Sequence, residues 1–489
     1  MGATAEKKLP QMALDLVAEG TYAQELERKE QRKWKMPEEV SSSQLYKDIV
    51  RIAWPSLIEL LLTQLASMVD MMMVGQLGSA ALSAVGLTTQ PKFLLMTLVM
   101  SLNVGATAMV ARHKGAGNKD KAFLTLRQAL MMNFIIAVLM SVIGVLAAEP
   151  LVVFMGAQSD TVKDATIYLQ IQMAGFIGVG ITSTITSCLR GAGDSRTAMI
   201  YNVTANVVNV ILNYLLIYGK FGFPRMEVAG ASLATIIGQF VAMFMALYAV
   251  MKKNDKQYLQ LHIKDGFKPD FAALKDIIQI GLPAMLEQLV MRTGMIIFAK
   301  TVAGLGTVAY ATHQVCMNIL SMSFMLGQAF AVSSTSLVGQ SLGKKRSDMA
   351  KVYASRVSRI GFVFSFILGI VFLVFGKQII MLYSNETEVI ETGAVMLRYV
   401  ALVQPFQGAQ FILAGALRGA GDTKVTAMIT FLTVLLVRTS VAILLVNVIG
   451  IGLSGAWIAV AADQLLRSAL VFARYRTGRW MYKRLKPEE

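Results

Sequence analysis

The chain of 489 residues is apolar and basic: hydrophobic residues make up 55% of it, charged residues only 16%, and the formal net charge is +16. Soluble domains are about 25% charged and could not hide this much apolar surface, so the composition excludes a water-soluble globular protein and indicates an integral membrane protein. The two cysteines, Cys188 and Cys316, both lie in apolar stretches and do not imply a disulfide framework.

The chain begins with a polar, charged region that lacks the apolar core of a signal peptide. Twelve apolar segments follow, each as long as the roughly 20 residues that a bilayer span requires. Segments in lipid must satisfy their own backbone hydrogen bonds, and runs of this length predict helices rather than the short alternating strands of a barrel. The predicted helices cover roughly residues 51–77, 83–111, 122–148, 161–189, 196–219, 227–251, 274–303, 308–340, 350–376, 389–417, 425–448 and 453–474.

The positions of the basic residues predict the topology. If both termini are cytoplasmic, the segments that face inward contain 37 of the 46 lysines and arginines, as the positive-inside rule requires. We therefore expect a multi-pass protein of the inner (cytoplasmic) cell membrane with both termini in the cytoplasm. The basic charge then reflects topology, and no nucleic-acid partner is expected. The inward segments are 1–51, 112–127, 190–196, 252–275, 344–359, 418–424 and 467–489.

An internal repeat relates the two halves of the chain at a shift of 228 residues. The sequence LRGAGDS at 189–195 returns as LRGAGDT at 417–423, and the same shift pairs Glu59 with Glu287. Each half contains six predicted helices, an even number, so both halves enter the membrane in the same sense. This predicts two lobes related by a pseudo-twofold axis along the membrane normal.

The predicted fold is therefore an all-α integral membrane protein with twelve transmembrane helices in two six-helix lobes. The N-lobe is expected at 46–252 and the C-lobe at 274–477, joined by a cytoplasmic linker at 253–273. Residues 1–45 are expected to form a cytoplasmic extension, and residues 478–489 a cytoplasmic tail. A cleft between two such lobes is where a substrate is expected, and rocking of the lobes would give alternating access.

The repeated motif also resembles the signature of a known family, the multidrug and toxic compound extrusion transporters. The resemblance extends over about residues 45–480 and includes Pro55 and Val69-Asp70 on the first helix. It implies a V-shaped antiporter that exports amphiphilic, often cationic, small molecules in exchange for Na⁺ or H⁺. Apart from this coupling ion, no cofactor is expected. The expected partners are the substrate and the lipid bilayer, and the expected state is a monomer. Further matching elements are Gly75-x-Leu77-Gly78 and Val338-Gly339-Gln340-x-x-Gly343.

Asp70 is the leading candidate for the coupling-ion site. It lies about 22 Å along the first helix from Pro55, and a charge inside the membrane is costly enough to indicate a function. A carboxylate at this depth can bind Na⁺ through oxygen or take a proton, and the matching aspartate in the family is a cation-site residue. The alternative is a structural hydrogen-bonding group.

Asn209 and Asn213 lie one turn apart on the fifth predicted helix and therefore share a face. In one branch of the family the matching pair is Asn and Asp, and both contribute to the cation site. Asn213 departs from that pattern and leaves Asp70 as the main charge. Thr235 matches a threonine of the same site, although such residues also commonly join helices. We expect no metal site other than a Na⁺ site at Asp70.

Glu59 and Glu287 form a second candidate acidic site, because some family members need an acidic residue on the seventh helix. The matching tenth-helix aspartate is Gln407 here, which weakens this assignment. Alternatively, each is a structural carboxylate near a helix entrance that binds backbone or a basic neighbour. Arg438 and Asp463 are expected to form a structural ion pair, since a lone buried arginine is costly. Arg292 also requires a partner, either Glu287 or the cleft.

The two motif turns are expected to be structural clamps of an inner gate. They contribute Arg190 and Asp194 in one half, and Arg418 and Asp422 in the other. Two other functions compete with the antiporter. A lipid-linked saccharide flippase would need a strongly cationic cavity, whereas most basic residues here are at the predicted inner face. A membrane enzyme would need paired catalytic groups, and the sequence lacks them, so we predict that the chain is not an enzyme.

Overall fold

The computed structural model describes residues 41–157, 159, 161–252, 258–261, 266 and 268–482. The predicted N-terminal extension at 1–45 lies outside this range apart from its last five residues, as do much of the predicted linker and the tail from residue 483 onward. The chain divides into two compact units, Met1–Tyr46 and Lys47–Glu489. Both predicted lobes belong to the second unit, and the described residues of the first are the start of one long helix.

The N-lobe consists of helices that run back and forth along the predicted segments. Its Gly175 separates two helices that are bent by 48° relative to each other, where the sequence predicts one continuous helix at 161–189. A Cβ atom on Gly175 would overlap the Ile236 side chain, so glycine permits this close approach. The helices are α1 (Ser42–Gly75), α2 (Ser79–Gly115), α3 (Lys119–Leu146), α4 (Ala148–Phe154), α5 (Val162–Ala174), α6 (Phe176–Gly191), α7 (Ser195–Tyr218) and α8 (Glu227–Met251).

The C-lobe repeats this arrangement with two differences: its helix Thr387–Gly419 is continuous where the N-lobe is bent at Gly175, and the eleventh span of the chain is partly π-helical. Along that span, two short α-helical stretches alternate with two π-helical ones. The hydrophobic pattern does not reveal this geometry. The elements are α9 (Phe271–Ala303), α10 (Thr307–Gly343), α11 (Ser347–Met381), α12 (Thr387–Gly419), α13 (Thr423–Thr430), π1 (Phe431–Arg438), α14 (Thr439–Ile443), π2 (Leu444–Val448) and α15 (Leu453–Arg476).

The prediction of an all-α fold with twelve membrane spans is confirmed. Within the described residues, eleven helical stretches are long and apolar enough to cross a bilayer, and α5 with α6 supply the twelfth when counted as one bent span. Several helices exceed their predicted length, because they continue past the apolar run into polar residues. For example, α10 ends at Gly343, whereas the pattern predicts an end near residue 340.

The lobes pack together through pairs of contacts that repeat at the same 228-residue shift. A Cβ on Gly115 of α2 would overlap the carbonyl oxygen of Gln340, and a Cβ on Gly343 of α10 would overlap that of Arg112. Because neither contact leaves room for a side chain, the backbones of α2 and α10 touch directly. In addition, Ile277 of α9 is buried in a cluster formed mainly by N-lobe residues.

The backbone contact yields a prediction. Gly115→Ala places a methyl group against the Gln340 carbonyl and should destabilise the protein by about 1–3 kcal/mol, as overpacking typically does. Gly86→Ala is the matched control, since Gly86 lies on the same helix and a Cβ added there would meet open space, and it should be neutral or slightly stabilising. Thermal unfolding of the purified protein measures both, and equal Tm values for the two variants would contradict the tight crossing.

Candidate functional site

The structure brings the four residues of the predicted cation site together inside the N-lobe. Asp70 of α1 accepts a hydrogen bond from the Asn213 amide of α7. The Asn209 amide lies between Asp70 and Thr235 of α8, with one terminal atom 3.0 Å from Asp70 Oδ1 and the other 3.1 Å from Thr235 Oγ1. Asn209 and Asn213 are buried, whereas Asp70 is partly exposed. The carboxylate therefore lies between a polar interior and accessible space.

The orientation of the Asn209 amide depends on what Asp70 carries. With its nitrogen toward Asp70, the amide donates to the carboxylate at 3.0 Å. With its oxygen toward Asp70, two oxygens face each other at that distance, which is favourable only with a proton or a cation between them. In addition, the buried Asn213 Oδ1 has no hydrogen-bond partner among the described residues. The cluster thus offers several oxygens to a small cation.

The site residues predicted from the sequence do not include a lysine of the N-lobe that lies near Asp70. Lys92 lies in α2, and its ammonium group interacts electrostatically with the Asp70 carboxylate. The signal that would have identified it is the one that identified Asp70, a charge within an apolar span. The charged part of the site is therefore a carboxylate with an internal cation nearby.

The second candidate acidic site divides into two separate ion pairs, one in each lobe. Glu59 Oε1 lies 2.7 Å from Arg190 Nη2, and Glu287 Oε1 lies 2.5 Å from Arg418 Nη2. Both glutamates are buried and accept further bonds, from Asn202 at 2.8 Å and from Thr426 at 3.1 Å. The arginine of each motif turn thus neutralises the glutamate of its own lobe, as the structural alternative anticipated.

The two motif aspartates stabilise their turns in different ways. Asp194 caps α7, since its carboxylate accepts from the Thr197 backbone N–H at 3.1 Å and from the Thr197 hydroxyl at 2.8 Å. Its counterpart Asp422 is fully buried and accepts from Arg474 Nε at 2.8 Å. The turn itself requires glycine at Gly193 and Gly421, which both have a φ of +77°.

Each turn is also held by the opposite lobe. Arg112 of α2 donates to the Ala420 carbonyl of the C-lobe turn at 2.8 Å, and Gln340 of α10 donates to the Gly191 carbonyl of the N-lobe turn at 3.1 Å. The two donors, Arg112 and Gln340, are repeat partners, and their acceptors lie at neighbouring positions of the repeated turn. We call this pair of contacts the turn latch, and it joins the lobes at the end where both turns lie.

Within the C-lobe, Asp463 has a closer partner than the predicted one. Arg467 Nη2 donates to both of its carboxylate oxygens at 2.6 Å, whereas the predicted partner Arg438 has its Nε 3.8 Å from Oδ2, within ion-pair distance but too far for a hydrogen bond. Arg467 was missed because it appeared to be one of the basic residues at the inner face. Arg292 does not pair with Glu287, whose partner is Arg418, but packs on the Phe93 ring of the N-lobe at 4.9 Å.

The Glu287 pair can be tested by a double-mutant cycle. Glu287→Gln removes the partner of a partly buried arginine and should lower stability by about 2 kcal/mol, less than for a fully buried pair because the Arg418 side chain is 25% exposed. Adding Arg418→Gln should restore part of this loss. Glu227→Gln, which breaks an exposed pair with Arg225, is the control and should have little effect. Additive Tm changes for Glu287 and Arg418 would show that they are not coupled.

Comparisons with known proteins agree with this architecture. The MatE family model matches residues 55–215 and 283–444, one match in each lobe. A probable multidrug resistance protein NorM of Thermotoga maritima is 30% identical over 440 residues, which cover 89% of this chain and 93% of that protein. The multidrug resistance protein MdtK of Yersinia enterocolitica is 28% identical over 89% of this chain and 96% of its own.

Two solved structures of transporters from the MOP superfamily share the fold. One is the outward-facing conformation of a multidrug resistance MATE family transporter, with a TM-score of 0.83, 25% identity, and coverage of 90% of this chain and 97% of that one. The other, from Pyrococcus furiosus Vc1, has a binding pocket of reverse polarity that suggests a different function; its TM-score is 0.82 at 25% identity, with coverage of 90% and 97%. The matches in both lobes and the relatives along nearly the whole length show that this multi-pass membrane protein belongs to the MatE family, that of the multidrug and toxic compound extrusion transporters.

Proposed function

We propose that the chain is an antiporter of the cytoplasmic membrane that exports amphiphilic small molecules in exchange for Na⁺ or H⁺, with both termini in the cytoplasm. The observation that carries this proposal is the partly exposed Asp70 carboxylate surrounded by Asn209, Asn213 and Thr235. Similar proteins named for multidrug resistance support the export of small molecules. No cofactor is needed, since the ion gradient supplies the free energy.

The polar cluster explains how a cation would be held. Oxygen ligands suit a hard cation such as Na⁺, and Asp70 supplies the negative charge while the amide and hydroxyl oxygens complete the shell. A proton on Asp70 would satisfy the same geometry by donating to the Asn209 oxygen at 3.0 Å. Either ion would have to compete with Lys92, which already interacts with the carboxylate. Asp70 can therefore interact either with Lys92 inside the protein or with an ion from solution.

The turn latch explains how the ion would be linked to a change of state. The latch joins the lobes at the end of the two motif turns, which the positive-inside rule places in the cytoplasm. In this state the cleft would face outward, as in the outward-facing relative. Burying Asp70 away from water costs less free energy when a bound cation neutralises its charge. Ion binding would therefore favour the state in which the site is closed to the outside.

Asp70→Asn tests the coupling. The amide keeps the size of the carboxylate but has only one acceptor oxygen, carries no negative charge and cannot be protonated, so gradient-driven transport should fall by about tenfold or more. Asp164→Asn removes an exposed carboxylate at the start of α5 and should leave transport unchanged. The measurement is dye transport by proteoliposomes with Na⁺ and pH gradients imposed separately, which also identifies the ion. Full coupled transport by Asp70→Asn would rule out this site.

The turn latch gives a second prediction. Arg112→Ala combined with Gln340→Ala removes both bonds of the turn latch and should shift the equilibrium by about thirtyfold toward a state open at the turns, since each hydrogen bond contributes about 1 kcal/mol. Spin labels on Lys119→Cys and Lys344→Cys, one exposed position in each lobe, should then report longer distances. Gln314→Ala breaks a bond to Tyr310 within α10 and is the control. Unchanged distances in the double variant would show that the latch does not hold this state.

A further inference from the structure

Two buried arginines, Arg438 and Arg467, lie beside Asp463 inside the C-lobe, and a third arginine, Arg292, lies on the adjoining helix α9. Arg467 bonds Asp463 and also lies 3.6 Å from the sulfur of Met291, the residue before Arg292 on α9. Arg438 lies on the other side of the same aspartate. We call Arg438 and Arg467 the arginine cluster. It joins α9, π1 and α15, and the function proposed above uses none of its members.

The cluster carries more positive charge than its neighbours offset. Asp463 is fully buried and is the acceptor of both short bonds from Arg467. The Arg438 guanidinium is almost fully buried, packs 5.0 Å from the centre of the Phe298 ring, and makes no hydrogen bond with any residue that the structure describes. Two buried arginines therefore share one carboxylate, and because uncompensated charge inside a membrane protein is costly, this excess favours the binding of an anion.

Arg292 extends between the two lobes. Its guanidinium crosses from the C-lobe to the Phe93 ring of the N-lobe, and within the described part of the chain it forms no salt bridge. It is partly exposed and lies eleven residues before the end of α9 at Ala303, about 17 Å from the helix end that is opposite to the turn latch. A molecule that enters the cleft from that end would therefore meet Arg292 at mid-membrane depth.

The helix that carries Arg438 is itself unusual. Arg438 is the last residue of π1, an eight-residue π-helical segment. Such segments are rare and are frequently found at functional sites, because they are less stable than a regular α-helix. This is independent of the charge argument and indicates the same place in the lobe.

We propose that the C-lobe wall of the cleft binds an anionic group, a carboxylate or a phosphate, of the transported amphiphile, with Arg292 as its contact. The planar guanidinium matches both groups through two parallel hydrogen bonds, and Phe93 supplies an apolar surface beside it. The inference deepens the proposed export function and rests on it. It replaces the expectation of mainly cationic substrates with zwitterionic or anionic ones.

A matched pair of dyes tests this inference. A rhodamine with a free benzoate and its methyl ester share the same ring system and cation, and they differ only in the anionic group. Fluorescence titration of the protein in nanodiscs of zwitterionic lipid gives the Kd of each. Arg292→Gln should weaken the binding of the free benzoate by about tenfold or more and that of the ester by less than about twofold. Arg292→Lys keeps the charge but cannot make the two parallel hydrogen bonds of the guanidinium, so its loss of affinity for the benzoate should be intermediate.

Arg225→Gln is the control variant, since it removes an arginine whose side chain is 63% exposed and lies outside the cluster. It should not change the ratio of the two Kd values. An equal loss of both dyes in Arg292→Gln, or a wild type that binds only the ester, would overturn the anion site while leaving the export function intact. If the wild type binds neither dye, both the export function and the anion site are rejected.

A last arm of the experiment separates substrate from lipid as the source of the anion. Repeating the titration with phosphatidylglycerol in the nanodisc tests whether a lipid headgroup competes for the site. A weaker binding of the benzoate dye in the wild type, absent in Arg292→Gln, supports the anion site and assigns its occupant to the lipid. Unchanged binding in the wild type supports the transported molecule.

Discussion

The low dielectric of the membrane interior makes each charge there dependent on a partner, and this constraint organises both lobes. Glu59 with Arg190, and Glu287 with Arg418, neutralise each other beside the motif turns. Asp70 is only partly compensated, by neutral amides and by the nearby Lys92. The two kinds of site differ in how far each charge is neutralised by its neighbours. Fully neutralised pairs support the fold, whereas a partly neutralised charge can bind a transported ion or molecule.

The duplication of the lobes makes their differences informative. The 228-residue shift relates Asp70 of the N-lobe to Phe298 of the C-lobe, so an aromatic ring replaces the carboxylate. Phe298 packs beneath the Arg438 guanidinium, where the N-lobe has an acidic group among amides. The two lobes thus kept the same ion pairs at the turns and acquired opposite charges in their interiors. This division would allow one lobe to hold a cation and the other an anionic group.

Much of this architecture follows from the sequence, because the signals are strong and local. Apolar length predicts the helices, and the repeat predicts the lobes and the matching turns. The partners of buried charges were harder to predict, since they depend on the rotation of each helix about its axis. Arg467 appeared to be an inner-face residue, yet α15 extends far enough to bury it against Asp463. Likewise, neither the bend at Gly175 nor the π-helical turns alter the apolar pattern.

The direct backbone contact between α2 and α10 also has an electrical consequence. At Gly115 and Gly343 no side chain separates the two helices, so no water fits between their backbones at this crossing. If the opposite end of the cleft admits water, most of the transmembrane voltage falls across this thin insulating layer rather than across the whole bilayer. Binding of an external ion at Asp70 would then be nearly independent of voltage. The voltage would act instead on the step that carries the bound charge past the seal, at about 2.3 kcal/mol per charge for each 100 mV.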